Sequence, residues 1–411
     1  MKIKPFKAVR PTRDKVSLIA ARSYETYTKA EREARLDNNP FSFLHIVNPG
    51  YKYHTEISGT ARFELVRNRY QEFKEDGVFI QEKVPAYYVY KIVDRDEQEF
   101  IGLVAAASVE DYAENVIKKH EDTLRVREEL FKDYLKTVGF NAEAVLLTYP
   151  DHSDIKSIFD QVMSERAEYE FTTTYRDTHY LWPVLDANVV KQITELFSAI
   201  NPVYIADGHH RSSSSYLLAE DLKRDNKKHD GDEPYNFFMS YLLPESQLRI
   251  HGFSRLVQDL NGLDSEGFLI ALDNYYKIEN RGGEYYEPTK PHHFCMYLDG
   301  EFYSLTLRKR HRNFENALEI LDAQILYTTI LKPILHIGDL RYDSRIAYGT
   351  GKNDMVQVKE QVDSGAFAVG FSMLPPDIEQ VKAIADADLK MPPKSTYIQP
   401  KLRSGVTIYE F

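Results

Sequence analysis

Short apolar runs alternate with amphipathic charged stretches along this chain, and the two periods separate strands from helices. In the N-terminal part, 3–9 reads as a strand and 29–36 as a helix ended by Asn39-Pro40. The run 42–47 reads as a buried strand ended by Asn48-Pro49. Ser58-Gly59-Thr60 can cap a long helix that reaches Glu75 and stops at Asp76-Gly77. Residues 86–93 and 100–108 form a hairpin about the acidic turn 94–97, and 108–139 is charged and helical. A strand at 144–148, a helix at 155–165 and a second hairpin, 169–174 with 179–185, follow; Asp186 then starts a helix to Ile200.

Farther on, 237–243 and 248–257 read as strands, and 293–307 as a hairpin with Asp299-Gly300 at its tip. A helix over 316–331 is stopped by Pro333, another covers 353–362, and 366–373 is a buried strand. The tail 391–401, rich in proline and polar groups, reads as an ordered surface loop. The polar stretch 223–233 has no periodicity, and Gly231 stands near Pro234; it is the expected boundary between a lobe 1–230 and a lobe 231–411.

The stretch Val203-Tyr204-Ile205-Ala206-Asp207-Gly208-His209-His210-Arg211 carries the most chemistry. Apolar residues lead into a glycine turn bearing an acid, two imidazoles and a guanidinium. Four serines and a helix-compatible segment follow. A helix N-terminus presents N–H groups and positive dipole potential. Gly208 lets the backbone approach a ligand, and Arg211, Ser212 and Ser213 suit a phosphate. Asp207 suits a magnesium ion, or the orientation of one imidazole.

Composition narrows the field. A chain of 411 residues is long for one core, and 43% hydrophobic with 28% charged residues is ordinary for a soluble protein. No apolar run reaches the roughly 18 residues of a spanning helix, and the start Met1-Lys2-Ile3-Lys4-Pro5 lacks a signal-peptide core, so a cytoplasmic location is expected. One cysteine, Cys295, excludes an internal disulfide and a thiolate zinc site. With 52 basic against 63 acidic residues, net −11, a duplex-binding surface is not expected. The 29 tyrosines and 22 phenylalanines are scattered as core residues are, not spaced as a stacking platform.

Four motifs stand in order: Asn39-Pro40-Phe41-Ser42-Phe43-Leu44-His45, His120-Glu121-x-Thr123, Asp207-Gly208-His209-His210-Arg211 and Met391-Pro392-Pro393-Lys394-Ser395-Thr396-Tyr397. Together they resemble the bacterial family called domain of unknown function 1015, over nearly the whole chain. The pairing of the His-Glu segment with the later turn also resembles, more distantly, the ParB and sulfiredoxin-like fold and its free serine kinases. That resemblance implies an α+β (mixed α/β) protein of two lobes, with a ParB/sulfiredoxin-like core at about 86–230 and added N- and C-terminal elements.

It further implies phosphoryl transfer between a nucleotide, ADP or ATP, and the hydroxyl of a small amino acid, with serine and phosphoserine as the leading pair. Glu121 would be the base and Asp207 to Arg211 the phosphate-contacting turn. The 86 positions from Glu121 to Asp207 hold an extra hairpin, which leaves the substrate open, as the kinase or phosphatase direction is open. A nucleotide-binding regulatory module without turnover is the alternative. A metal-dependent hydrolase using Asp207, His209 and His210 comes third.

Other candidates lie in the second lobe. Arg341 and Arg345, in a charge-alternating 339–345 segment read as an ion-paired strand, could close the pocket, as could Lys394, Ser395 and Thr396. Gly349-Thr350-Gly351-Lys352 imitates a nucleotide loop, but Ile346 stands where its first glycine belongs and Asn353 follows the lysine.

Overall fold

A computed structural model describes residues 1–350 and 354–411 of the chain. By contact it divides into two units: Met1–Lys119, Thr123–Leu248 and Pro400–Phe411 make the first, and His120–Asp122 with Arg249–Gln399 the second. The architecture is mixed α+β. The nucleotide-loop imitation ends in Gly351, Lys352 and Asn353, outside the described residues.

Nine strands make the sheet of the first unit. Their order is Ile117–Lys118, Val203–Asp207, Val145–Tyr149, Phe237–Pro244, Glu99–Ser108, Tyr87–Val93, Thr178–Val184, Tyr169–Thr172, and Ile3–Lys4 also pairs with Glu99–Ser108. Val203–Asp207 runs parallel to Ile117–Lys118, and Phe237–Pro244 to Val145–Tyr149. Both expected hairpins form. The central strands are buried almost end to end, which is why they read as continuous apolar runs. At Gly102 a Cβ would stand 2.4 Å from the Leu242 carbonyl oxygen, so a side chain there would push two central strands apart.

Helices Ser153–Met163 and Ala187–Ser198 add Ile155, Phe159, Ile193 and Phe197 to the core that contains Leu103, Ala105, Val145 and Leu147. The second of these is capped as expected: Asp186 accepts from the N–H groups of Asn188 at 2.9 Å and Val189 at 3.1 Å. Helix Arg125–Val138 packs on both Gly59–Glu75 and His209–Asp225.

In the second unit six antiparallel strands form a sheet in the order Tyr276–Gly282, Glu301–Leu307, His293–Leu298, Val369–Met373, Phe253–Val257, Ile346–Thr350. Asp299 and Gly300, both at positive φ, turn its hairpin at the expected place. Cys295 is buried within it.

Several elements differ from the expectation. Residues 42–47 hold the short helix Leu44–Val47, because a run of five or six apolar residues has no period of its own and tertiary packing decides it. The strand 3–9 is two short strands, Ile3–Lys4 and Val9–Pro11, and 108–139 is interrupted by strand Ile117–Lys118. The 316–331 helix begins only at Asp322. Segment 339–345 is ion-paired but is turn rather than strand, since Asp339 and Asp343 each accept the N–H two residues on. The tail is not a surface loop: Met391 and Ser395 are buried and Tyr397–Gln399 pairs with Arg249–His251. The polar stretch 223–233 lies inside the first unit, because Phe237–Pro244 behind it inserts between two strands of that sheet. No helix among the described residues is long and apolar enough to cross a membrane.

Candidate functional site

The apolar strand Val203–Asp207 delivers Asp207 to its C-terminal end, and Gly208 makes the corner at φ 103° and ψ 30°, a conformation that favours glycine. Helix His209–Asp225 starts at once, and no side chain caps its first turn. Its N-terminal half is buried nearly all round, with His209, Ser212, Ser213, Ser214, Ser215, Leu218 and Ala219 all covered.

Asp207 sits between two cations. Its Oδ2 accepts from Arg211 Nη2 at 2.6 Å and its Oδ1 from Lys401 Nζ at 2.8 Å. Arg211 Nη1 donates to the Ala144 carbonyl at 2.6 Å and stands 3.9 Å from Glu143, which takes the Ser404 hydroxyl at 2.9 Å. Burial alone would push the Asp207 carboxyl up. Arg211, Lys401 and the nearby His209 ring outweigh it and hold the carboxyl below its ordinary value. The charges of Asp207, Glu143, Arg211 and Lys401 balance.

This arrangement changes three expectations. Both terminal nitrogens of Arg211 bond protein oxygens: Nη2 folds back across the glycine corner to Asp207 and Nη1 reaches the Ala144 carbonyl. Both oxygens of Asp207 hold cations, so the carboxylate does not fit a magnesium ligand. The serine hydroxyls donate to protein oxygens. Ser212 bonds the Gly208 carbonyl at 3.2 Å, Ser213 bonds the Glu128 carboxylate, and Ser214 bonds the Glu128 carbonyl at 3.0 Å. The Ser212 N–H is taken as well, by the Gly208 carbonyl at 3.0 Å, so Ser212 turns both its hydroxyl and its amide to the protein.

Glu128 was not singled out in the sequence. It is buried on helix Arg125–Val138 and its carboxylate also takes the Thr123 hydroxyl. A carboxylate in a charged helix gives no sign of burial by itself. The hint was the four serines, since a helix that buries four hydroxyls must supply acceptors for them.

In the second unit, two of the four motifs meet. The Met391 N–H donates to the His120 carbonyl at 2.8 Å, and Arg341 Nη2 pairs with Asp122 at 3.0 Å, so both hold the segment that contains Glu121. Arg345 is committed elsewhere, to Asp343 and Asp259. Lys394 lies over the Phe253 ring, with Nζ 5.5 Å from its centre. The Ser395 hydroxyl bonds the Pro392 carbonyl at 2.7 Å, and Thr396 is half-buried. His209 and His210 are consecutive on a helix and point about 100° apart, which does not suit convergence on one ion.

Gly208→Ala tests the corner. The new Cβ would lie 3.2 Å from three guanidinium atoms of Arg211 and would force a left-handed residue, at about 1 to 2 kcal/mol. Urea unfolding should show that loss, and an unchanged midpoint would mean that the corner relaxes without strain.

Comparison with solved structures finds distant likenesses. A free serine kinase variant in complex with AMP is 11% identical, with 74% of this chain and 92% of that one covered and a TM-score of 0.36. A conserved hypothetical protein from Pyrococcus furiosus is 11% identical, covering 74% and 95%, with a TM-score of 0.34. SbnI with a C-terminal truncation, from Staphylococcus aureus, is 13% identical, covering 74% and 85%, with a TM-score of 0.38. No curated protein matches the sequence. The family model described as "Protein of unknown function (DUF1015)" matches residues 3–324, most of the chain, and the protein belongs to that family.

Proposed function

We propose that the Asp207 to Ser213 corner binds a phosphate-bearing small molecule, and that the protein transfers a phosphoryl group between a nucleotide and the hydroxyl of a small amino acid. Serine and phosphoserine are the leading pair. One observation carries the reading: an apolar strand enters, through a left-handed glycine, a 17-residue helix with no side-chain cap. Lys401, anchored on Asp207, adds a cation at the same corner.

In the transfer, the serine hydroxyl loses its proton to a base and its oxygen bonds phosphorus as the bond to the leaving phosphate breaks. Glu121 is proposed as that base. Run in reverse, the same steps return the phosphoryl group from phosphoserine to an acceptor or to water. The helix N–H groups stabilise the phosphoryl oxygens while positioning does the rest.

A second reading, nucleotide binding without turnover, is favoured by one fact: Arg211, Ser212 and Ser213 direct their side chains at protein partners. Thermal denaturation with serine, phosphoserine, ADP, ATP and CTP, each with and without magnesium, separates the two. A ligand at about 100 times its Kd stabilises by about 2.7 kcal/mol. Shifts with serine or phosphoserine support the enzyme, a shift with nucleotides alone supports the binding module, and no shift with any of them refutes both.

A further inference from the structure

Three arginines from distant parts of the first unit surround one tyrosine. Around the Tyr175 ring centre stand the guanidinium carbons of Arg22 at 4.0 Å, Arg35 at 5.1 Å and Arg403 at 5.4 Å. Arg22 and Arg35 also lie over Tyr27, at 4.8 and 5.3 Å. Backbone pairing fixes the approach: Ala21 and Ser404 exchange N–H···O bonds, which sets Arg22 and Arg403 on adjoining strands of chain.

Like charges so close need neutralising, and here the partners are unevenly shared. Arg403 pairs with Asp177 and, through Nε, reaches His179 Nε2 at 3.5 Å. Arg35 has a single bond, to the Thr174 hydroxyl at 2.9 Å, and no carboxylate within ion-pair distance among the described residues. Arg22 reaches the Thr26 carbonyl only at 3.5 Å, and its Nε is buried with no hydrogen-bond partner. The nearest carboxylate to Arg22, Glu31 at 4.0 Å, is held by the N–H and hydroxyl of Thr28 in a capping box. A ring face at an exposed site offsets less than a buried unbonded donor costs. Two guanidiniums with donors to spare, on an otherwise acidic chain, form a fork for an oxyanion.

We propose that Arg22, Arg35 and Arg403 around Tyr175 form a second anion site, which takes the phosphate of a small molecule. It is built from side chains, unlike the Asp207 corner, and does not rest on the function proposed for that corner. The probe is inorganic phosphate, titrated into the full chain by equilibrium dialysis at constant ionic strength.

Arg22→Ala/Arg35→Ala is expected to weaken one class of phosphate binding by about tenfold or more, as loss of charge-assisted bonds requires. Identical isotherms for this variant and the wild type would overturn the site. Phenylglyoxal labelling of the wild type, read by mass spectrometry, decides the matter if the variant does not fold. Phosphate should protect Arg22 and Arg35 where acetate at equal ionic strength does not, and equal labelling in both would refute it. Lys401→Ala reports on the other corner. Unchanged binding in that variant, with protection of Arg22 and Arg35, would count against the Asp207 reading and leave this site standing.

Discussion

Glu121→Gln is expected to lower phosphoryl exchange among serine, phosphoserine and nucleotide by about a hundredfold or more, while ligand affinity stays within a few-fold. Glutamine keeps the size of the side chain and can accept hydrogen bonds, but it cannot take the proton of a hydroxyl. The competing account makes Glu121 a helix-start carboxylate favoured by the dipole, worth about 0.3 to 1 kcal/mol of stability. The fold weakens that account, because the helix begins at Arg125 and Glu128 is the acid in its first turn. Single-turnover exchange with the purified variant decides between them. Wild-type exchange by the glutamine form would remove Glu121 from the chemistry, and with it the main reason to prefer an enzyme to a binding module.

How much of the corner could be read in advance follows from the distance over which its parts interact. Strand, glycine and helix at 203–225 are contiguous, so period and punctuation sufficed, as they did for the hairpins at 87–108 and 293–307. The partners of the corner are not contiguous. Lys401 is 194 positions from Asp207 and Glu128 is 85 from Ser213, and neither has a local pattern that marks it. Charge alternation at 339–345 foretold ion pairs correctly but could not tell strand from turn, since a side chain that accepts the backbone N–H two residues on leaves the same composition. Likewise the polar stretch 223–233 looks like a linker, yet the strand after it completes the first sheet. Polarity records solvent exposure, whereas a unit boundary depends on which sheet edge the next strand finds.

Asp322→Asn is expected to stabilise the protein at alkaline pH and much less in acid. The side chain is 6% exposed, and burial pushes its carboxyl up to about 7, against the His292 N–H that donates to it at 2.8 Å and the charge of Arg312. The His292 ring, 3.5 Å away, has its own pKa lowered by burial and by Arg312 and His293, so at pH 8 it is neutral and supplies no counter-charge. An unfolded aspartate releases its proton near about 3.9, so between that value and 7 the folded state holds a proton that the unfolded state has lost. Stability from this group is therefore complete below about pH 4 and falls as the pH rises through 7, by up to about 4 kcal/mol in all. Asparagine keeps the acceptor for His292 and never ionises. Its advantage in urea unfolding should grow by about 3 kcal/mol from pH 5 to pH 8, nearly all of it below pH 7. An advantage that is the same at both pH values would show that Asp322 ionises normally in the folded protein, through solvent access or a rearranged Arg312.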